Sequence, residues 1–401
     1  MSYDLVNWKY IGHSVPTLGF GSNGTYVYTA SSVTGPWQQK TKISTCYYDA
    51  GMLIDDDNTI YIAYGNTQLS VAQLSKDGLS QVKTQVVYQT PSTIGTLEGS
   101  RMYKIKGSYY IFATRPANGQ YILKSTNGPF GPYEVKQLLL NLPGPISGGG
   151  VPHQGGLVQT PAGEWCYMAF VDSYPGGRVP ALAPIGWGSD GFPVLQTSNG
   201  AWGTSYIAPL PLRPLESPSG IDYFNGTSLG PQWEWNHNPD TTRNTLSRRI
   251  LGPTSSGTII LNVENMKDGD RAGFALLRDT SAWVGVRRDG TALKISMWSG
   301  LTMTSTWATA NTGSEVSSAS VSGTRFWLRV YADIHAGTGK QGYFYYSTDG
   351  KSFQKLGSLT LNQAWNFFPG YRYAIFNYAT KTLGGSVLIE SFKVDSPGLT
   401  T

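Results

Sequence analysis

Apolar and polar positions along this chain alternate in short runs of period two, and helical periodicity is essentially absent. Residues 96–114 show the pattern most clearly. An alternating run ends at Lys106-Gly107, a turn signal, and resumes as the aromatic and β-branched stretch 109–114. That reads as strand, tight turn, strand, because such side chains suit a pleated, half-buried surface. The unit recurs twice. Residues 51–54 lead through Asp55-Asp56-Asp57-Asn58, read as a solvated hairpin tip, into 60–64, and residues 153–158 lead through Pro161-Ala162-Gly163 into 165–170.

One titratable residue stands at the head of each hairpin: Asp49, Glu98 and His153. Twelve positions separate Asp49 from Tyr61, Glu98 from Tyr110 and His153 from Trp165, and the heads are 49 and 55 residues apart. Repeats of this period predict propeller blades, and equivalent positions in successive blades face one axis. Asp49, Glu98 and His153 are therefore expected to share one channel. The residues alone also admit a plainer account, with Asp49 a turn cap, Glu98 a solvated strand-end acid and His153 a hydrogen-bonded core histidine.

The repeat stops at the Pro-rich stretch 209–218, which reads as a linker. Upstream, residues 6–11 and 25–29 read as strand fragments. Downstream, residues 220–396 carry many short strands separated by polar turns such as Arg288-Asp289-Gly290, the pattern of a β-sandwich. At 401 residues the chain is long enough for two such domains.

Composition narrows the function. Charged residues make up only 14% and aromatics reach 13%, which suits an all-β protein and leaves rings on which sugar faces can stack. The net charge of +5 comes from scattered bases with no basic stripe, which excludes a nucleic-acid reader. No apolar run reaches the length of a membrane-spanning helix. Of the two cysteines, Cys166 lies mid-strand and reads as a small buried hydrophobe.

Together these residues resemble glycoside hydrolase family 43. Asp4-Leu5-Val6-Asn7-Trp8 resembles the exit of that family's first blade, and Tyr48-Asp49-Ala50-Gly51 with Asp55-Asp56-Asp57 its third-blade motif. Leu97-Glu98-Gly99 with Met102-Tyr103-Lys104 resembles its general-acid motif. His153-Gln154-Gly155-Gly156, Gly177-Arg178 and Gly191-Phe192-Pro193 resemble its last-blade motifs. Each is short, and their order and spacing carry the likeness. Phe224-Asn225-Gly226, residues 233–239 and residues 345–350 resemble the concanavalin-A-like domain behind many of its xylosidases and arabinofuranosidases.

The resemblance implies an all-β fold: a five-bladed-type propeller, incomplete here, over 1–210, a linker over 211–219 and a concanavalin-A-like β-sandwich over 220–396. It implies an extracellular α-L-arabinofuranosidase, with β-xylosidase the second choice, that inverts configuration using two carboxyl groups. The partner would be arabinoxylan or a related plant polysaccharide or oligosaccharide, handled by a monomer, with no nucleic acid and no membrane. Glu98 matches the general acid and Asp49 the residue that tunes its pKa and orients it. Arg178 and His153 match substrate contacts. No cofactor is required, and calcium is admitted only at His153 through a water.

The chain departs from the family in three places. The family's general base is an Asp upstream of the segment matching Asp4-Leu5-Val6-Asn7-Trp8, and nothing in residues 1–401 matches it. Residues 19–29 look contracted where the second blade should be, and a strand pair looks lost after Asp240. The expectation is thus a truncated propeller with impaired hydrolysis. The alternatives are a non-catalytic carbohydrate-binding remnant and a structural β-protein with no sugar site.

Overall fold

A computed structural model of the chain describes residues 1–9, 11, 24–214, 219–235 and 245–395, and every regular element among them is a β-strand. The chain divides into two compact units. The first comprises 1–172 and 179–213, the second 173–178 and 214–401.

The first unit holds a two-stranded sheet, β1 (Thr25–Thr29) and β2 (Gln38–Ile43), and three four-stranded antiparallel meanders. The first meander is β3 (Gly51–Ile54), β4 (Ile60–Asn66), β5 (Gln68–Leu74) and β6 (Gln81–Gln89). The second is β7 (Glu98–Ile105), β8 (Ser108–Arg115), β9 (Gly119–Ser125) and β10 (Glu134–Leu140). The third is β11 (His153–Gln159), β12 (Trp165–Asp172), β13 (Arg178–Trp187) and β14 (Pro193–Leu195). This is the propeller-type arrangement expected from the three hairpins.

The leading strands of the three blades approach one another closely. A methyl group at Gly51 would lie 2.5 Å from the Ser100 carbonyl oxygen and 2.6 Å from the Arg101 Cα, so only glycine lets β3 meet β7. Gly99 has φ near +65°, and a methyl there would fall 2.8 Å from the Gln154 side chain. The blades pack through apolar layers. Ala63, Leu69, Val71, Met102, Ile111 and Leu123 fill the space between the first and second, and Phe112, Ile122, Tyr167 and Ala183 that between the second and third.

Two expectations change. Residues 6–9 and 11 do not form a strand; among the described residues here only a bridge between Ser2 and Trp8 is present, and Tyr10 lies outside them. The Asp4 carboxylate competes for the backbone, accepting the N–H groups of Val6 at 3.0 Å, Asn7 at 2.7 Å and Arg213 at 2.8 Å. The Arg213 N–H, opposed by burial and assisted by Asn7 and Val6, holds the Asp4 carboxyl well below its usual range. Nor is the turn at Asp55-Asp56-Asp57 wholly solvated. Asp56 and Asp57 are exposed, but Asp55 is buried, with Lys104 Nζ 2.6 Å from one oxygen and the Tyr109 hydroxyl donating to the other.

The second unit is a sandwich. Its six-stranded sheet runs from Gly220–Asp222 through Leu388–Asp395, Thr254–Asn262, Arg325–Asp333 and Gln341–Ser347 to Gln354–Thr360. Its seven-stranded sheet runs from Trp233–Trp235 through Thr245–Arg249, Arg372–Ala379, Asp270–Leu277, Thr280–Asp289 and Ala292–Met303 to Thr309–Val321. Ile259, Leu328 and Phe392 from one sheet interlock with Phe274, Val284 and Tyr373 from the other in one dry core. Of the linker at 211–219, residues 215–218 lie outside the described residues, as do 19–23 and 236–244, where the contractions were expected.

Candidate active site

The heads of the first two meanders assemble one polar cluster in the first unit, and the head of the third adjoins it through Gln154. Asp49 sits just before β3 with φ near +48°, a left-handed conformation that Asp tolerates better than most residues. Its neighbour Tyr48 places a hydroxyl 3.4 Å from Glu98 Oε2. Burial first, then the charges of Glu98 and Asp49, raise the Tyr48 phenol above its ordinary value, so both carboxylates act on the same hydroxyl.

Glu98 opens β7 and is half-buried. Its firmest described partner was missed in the sequence: Asn66, the last residue of β4, donates its side-chain amide to Oε2 at 2.6 Å. The Asn66 carboxamide is itself fixed. Its oxygen accepts the Thr67 hydroxyl at 3.0 Å, and the Thr67 N–H donates to the Leu97 carbonyl at 3.0 Å, one residue before Glu98. The signal available in the sequence was weak: a polar Asn66-Thr67 pair closing an apolar strand.

His153 opens β11 and is 2% exposed. Its Nδ1 lies 2.8 Å from the Val151 carbonyl, which can only accept, so Nδ1 carries a proton and donates. Its ring meets Phe170 edge-on at 4.5 Å, and Nε2 faces Asp172 at 3.9 Å. Gln154 follows with φ near +51° and packs over Gly99, so the heads of β7 and β11 touch. The structure thus brings Asp49, Glu98 and His153 to the adjoining leading edges of three blades.

The heads are equivalent, but the positions twelve residues later are not. Tyr61 pairs with Leu53, Tyr110 with Tyr103 and Trp165 with Gln159, which lie four, five and six residues past their heads. Irregularities between Glu98 and Arg101 and between His153 and Gly156 absorb the difference.

Arg178, the first residue of β13, stands at the division between the units and is grouped with the second, in the segment Ser173–Arg178. Its guanidinium lies over the Phe368 ring, 4.0 Å from the centroid. Phe368 stands in a turn organised by the fully buried Arg278, which bonds the Asn362 and Ala364 carbonyls and pairs with Asp279 at 2.8 Å. Among the described residues no group of three or more His, Cys, Asp or Glu is disposed to hold a metal ion.

Comparison with known proteins agrees with this layout. The profile of glycosyl hydrolases family 43 matches residues 10–193, and that of the beta xylosidase C-terminal concanavalin A-like domain matches 240–395. A beta-xylosidase of Formosa agariphila is 24% identical over 99% of this chain and 84% of its own length. A non-reducing end alpha-L-arabinofuranosidase of Bacteroides ovatus is 26% identical over 59% of this chain and 54% of its own. A solved GH43 glycoside hydrolase, engineered to display both endo-xylanase and exo-arabinofuranosidase activity, superposes with a TM-score of 0.91. It is 39% identical, covering 98% of this chain and 92% of that one, and on that likeness the chain belongs to glycoside hydrolase family 43.

Proposed function

We propose that this family 43 hydrolase removes arabinofuranosyl residues from plant cell-wall xylan, with xylosyl release the second activity, by an inverting mechanism. The observation that carries this is the Asp49–Tyr48–Glu98–Asn66 cluster at the meeting edges of the first two complete blades. Glu98 protonates the leaving glycosidic oxygen. Asp49 supplies a neighbouring negative charge that favours the protonated acid. His153, buried and hydrogen-bonded, shapes the floor of the sugar site. The polymeric substrate suits action outside the cell.

Inversion also needs a base to take a proton from water on the opposite face of the sugar. No residue is assigned to that role here. Without such a base, turnover would fall by about two to four orders of magnitude. The same observation favours a second reading, a non-catalytic carbohydrate-binding protein.

The test is release of arabinose and xylose from arabinoxylo-oligosaccharides by residues 1–401, with Glu98→Ala as control. Slow release that depends on Glu98 supports the first reading. Retention on insoluble arabinoxylan without any release supports the second. Turnover as fast as that of other family enzymes would show that a group of this chain supplies the base. Neither release nor retention would refute both.

A further inference from the structure

The outer face of the six-stranded sheet carries a second surface suited to saccharides. Along Arg325–Asp333 burial alternates, so Phe326, Leu328, Val330 and Ala332 enter the core while Arg329 and Tyr331 face outward. Along Gln341–Ser347, Tyr343 and Tyr345 face outward in the same way. The ladder sets these side chains in two rows. Ser256, Tyr331 and Tyr343 stand directly opposite one another across three strands, and Thr258, Arg329 and Tyr345 form the next row. Rows two residues apart on a strand are separated by about 6.7 Å.

The side chains are held in place. The Tyr331 and Tyr343 rings lie 5.8 Å apart and only 23° from parallel. The Arg329 guanidinium is flat on Phe353 at 3.6 Å, and its Nε donates to the Thr258 hydroxyl at 3.0 Å. Lys355 Nζ sits 4.1 Å from the Tyr343 centroid. Burial raises the Tyr345 phenol above its ordinary value, which keeps it a neutral donor. Ser256, Arg329, Tyr331, Tyr343, Tyr345 and Phe353 line a groove of about 430 Å³, within the range of small-molecule sites.

The lining chemistry selects the ligand class. It consists of aromatic rings, hydroxyls and one guanidinium, and no carboxylate lines the groove. A cationic ligand would meet the charges of Arg329 and Lys355, and the Asp395 carboxylate nearby already acts on Arg329. A purely apolar segment would bury three phenol hydroxyls and the guanidinium. A pyranose chain presents apolar ring faces to stack and hydroxyls for those polar edges to bond. From this geometry we infer that the groove bounded by Tyr331, Tyr343, Tyr345, Arg329 and Phe353 binds a segment of xylan backbone. This role is separate from hydrolysis at Glu98. The choice of xylan rests on the substrate reading above; the choice of a saccharide rests on the groove.

The test uses the whole chain. Mobility in native gels containing soluble xylan is compared for the wild type, Tyr343→Ala and Tyr345→Ala, with pentose release from a nitrophenyl arabinofuranoside measured in parallel. The expected result is roughly tenfold weaker retardation on loss of a stacking ring, with release from the small substrate unchanged. Unchanged retardation would overturn the inference, as would retardation by cellulose derivatives but not by xylan. Should either variant fail to fold, hydrogen exchange of the wild type with and without xylohexaose decides. Protection confined to Arg325–Asp333 and Gln341–Ser347 supports the site, and none there overturns it. A chain that releases no pentose but is still retarded through these tyrosines would sink only the catalytic reading.

Discussion

The Asn66 side-chain amide lies 2.6 Å from Glu98 Oε2 and joins the last residue of one blade's second strand to the first residue of the next blade. The bond crosses the seam between two sheets, so the acid's orientation depends on how the blades pack. A donor to a carboxylate oxygen stabilises the ionised form, whereas the neighbouring charge of Asp49 favours the protonated one. The two effects oppose each other, and the Asn66 bond fixes where the Glu98 carboxyl lies.

Asn66→Ala should therefore lower kcat by about tenfold with little change in KM, since a carboxyl that wanders protonates the leaving group poorly. Loss of the donor should also move the alkaline limb of the pH–rate profile upward. Steady-state kinetics across pH on arabinoxylo-oligosaccharides measures both. A shift in KM alone would mean that Asn66 contacts substrate rather than Glu98.

Glu98→Ala should depend on the leaving group. A sugar hydroxyl leaves poorly without a proton, so the loss on oligosaccharide should be about 10²–10⁴-fold. A nitrophenolate is stable as an anion, so the loss on a nitrophenyl glycoside should be much smaller. Equal losses on both substrates would argue that Glu98 serves binding or folding instead.

Lys104 and the buried Asp55 form a pair whose stability effect has a definite sign with pH. Burial opposes ionisation of Asp55, but hydrogen bonds from Lys104, Tyr109 and the Asp56 N–H outweigh it and lower its pKa. A lowered carboxyl pKa adds stability above the unfolded value, near 4, that is lost as pH falls through the folded value. Lys104, raised chiefly by its bonds to Asp55 and Asp56, contributes fully below its unfolded value, near 10.4. Lys104→Met should destabilise the first unit at pH 7, because it leaves the buried Asp55 carboxylate without its cation. The gap from wild type should narrow below about pH 4. Denaturant midpoints at pH 7 and pH 3 decide this; a gap of constant size would contradict the assignment.

Arg278→Ala should destabilise the second unit by about 3–5 kcal/mol, because it strands Asp279 and frees two carbonyls that the guanidinium holds. The turn carrying Phe368 should loosen with it, and hydrogen exchange over residues 362–371 would report that. Unchanged exchange there would place the damage elsewhere.

Gly51→Ala should destabilise the first unit by about 1–3 kcal/mol. The new methyl meets backbone, the Ser100 carbonyl at 2.5 Å, which cannot swing aside as a side chain could. Thermal unfolding checks it, with Gly107→Ala as a comparison, where no atom lies within 4 Å of an added methyl but φ is near +80°.

Alternation of period two and the turn residues between runs are local properties, and they alone made strands and hairpins legible from Gly51 to Leu195. The recurrence of Asp49, Glu98 and His153 at hairpin heads was legible for the same reason, since a repeated blade puts its head residue in the same place each time. The twelve-residue spacing was not the cause: bulges at Glu98 and His153 move Tyr110 and Trp165 to different rungs. Only the tertiary structure decided what each head touches. Asn66 reaches Glu98 from 32 positions away, Lys104 reaches Asp55 from 49 and Arg213 reaches Asp4 from 209. Such contacts depend on which sheet edges meet, and that follows from the packing of whole blades. Local sequence specifies the face a side chain occupies but not its partner across a seam, so the fold could be read from the chain and the wiring of its candidate site could not.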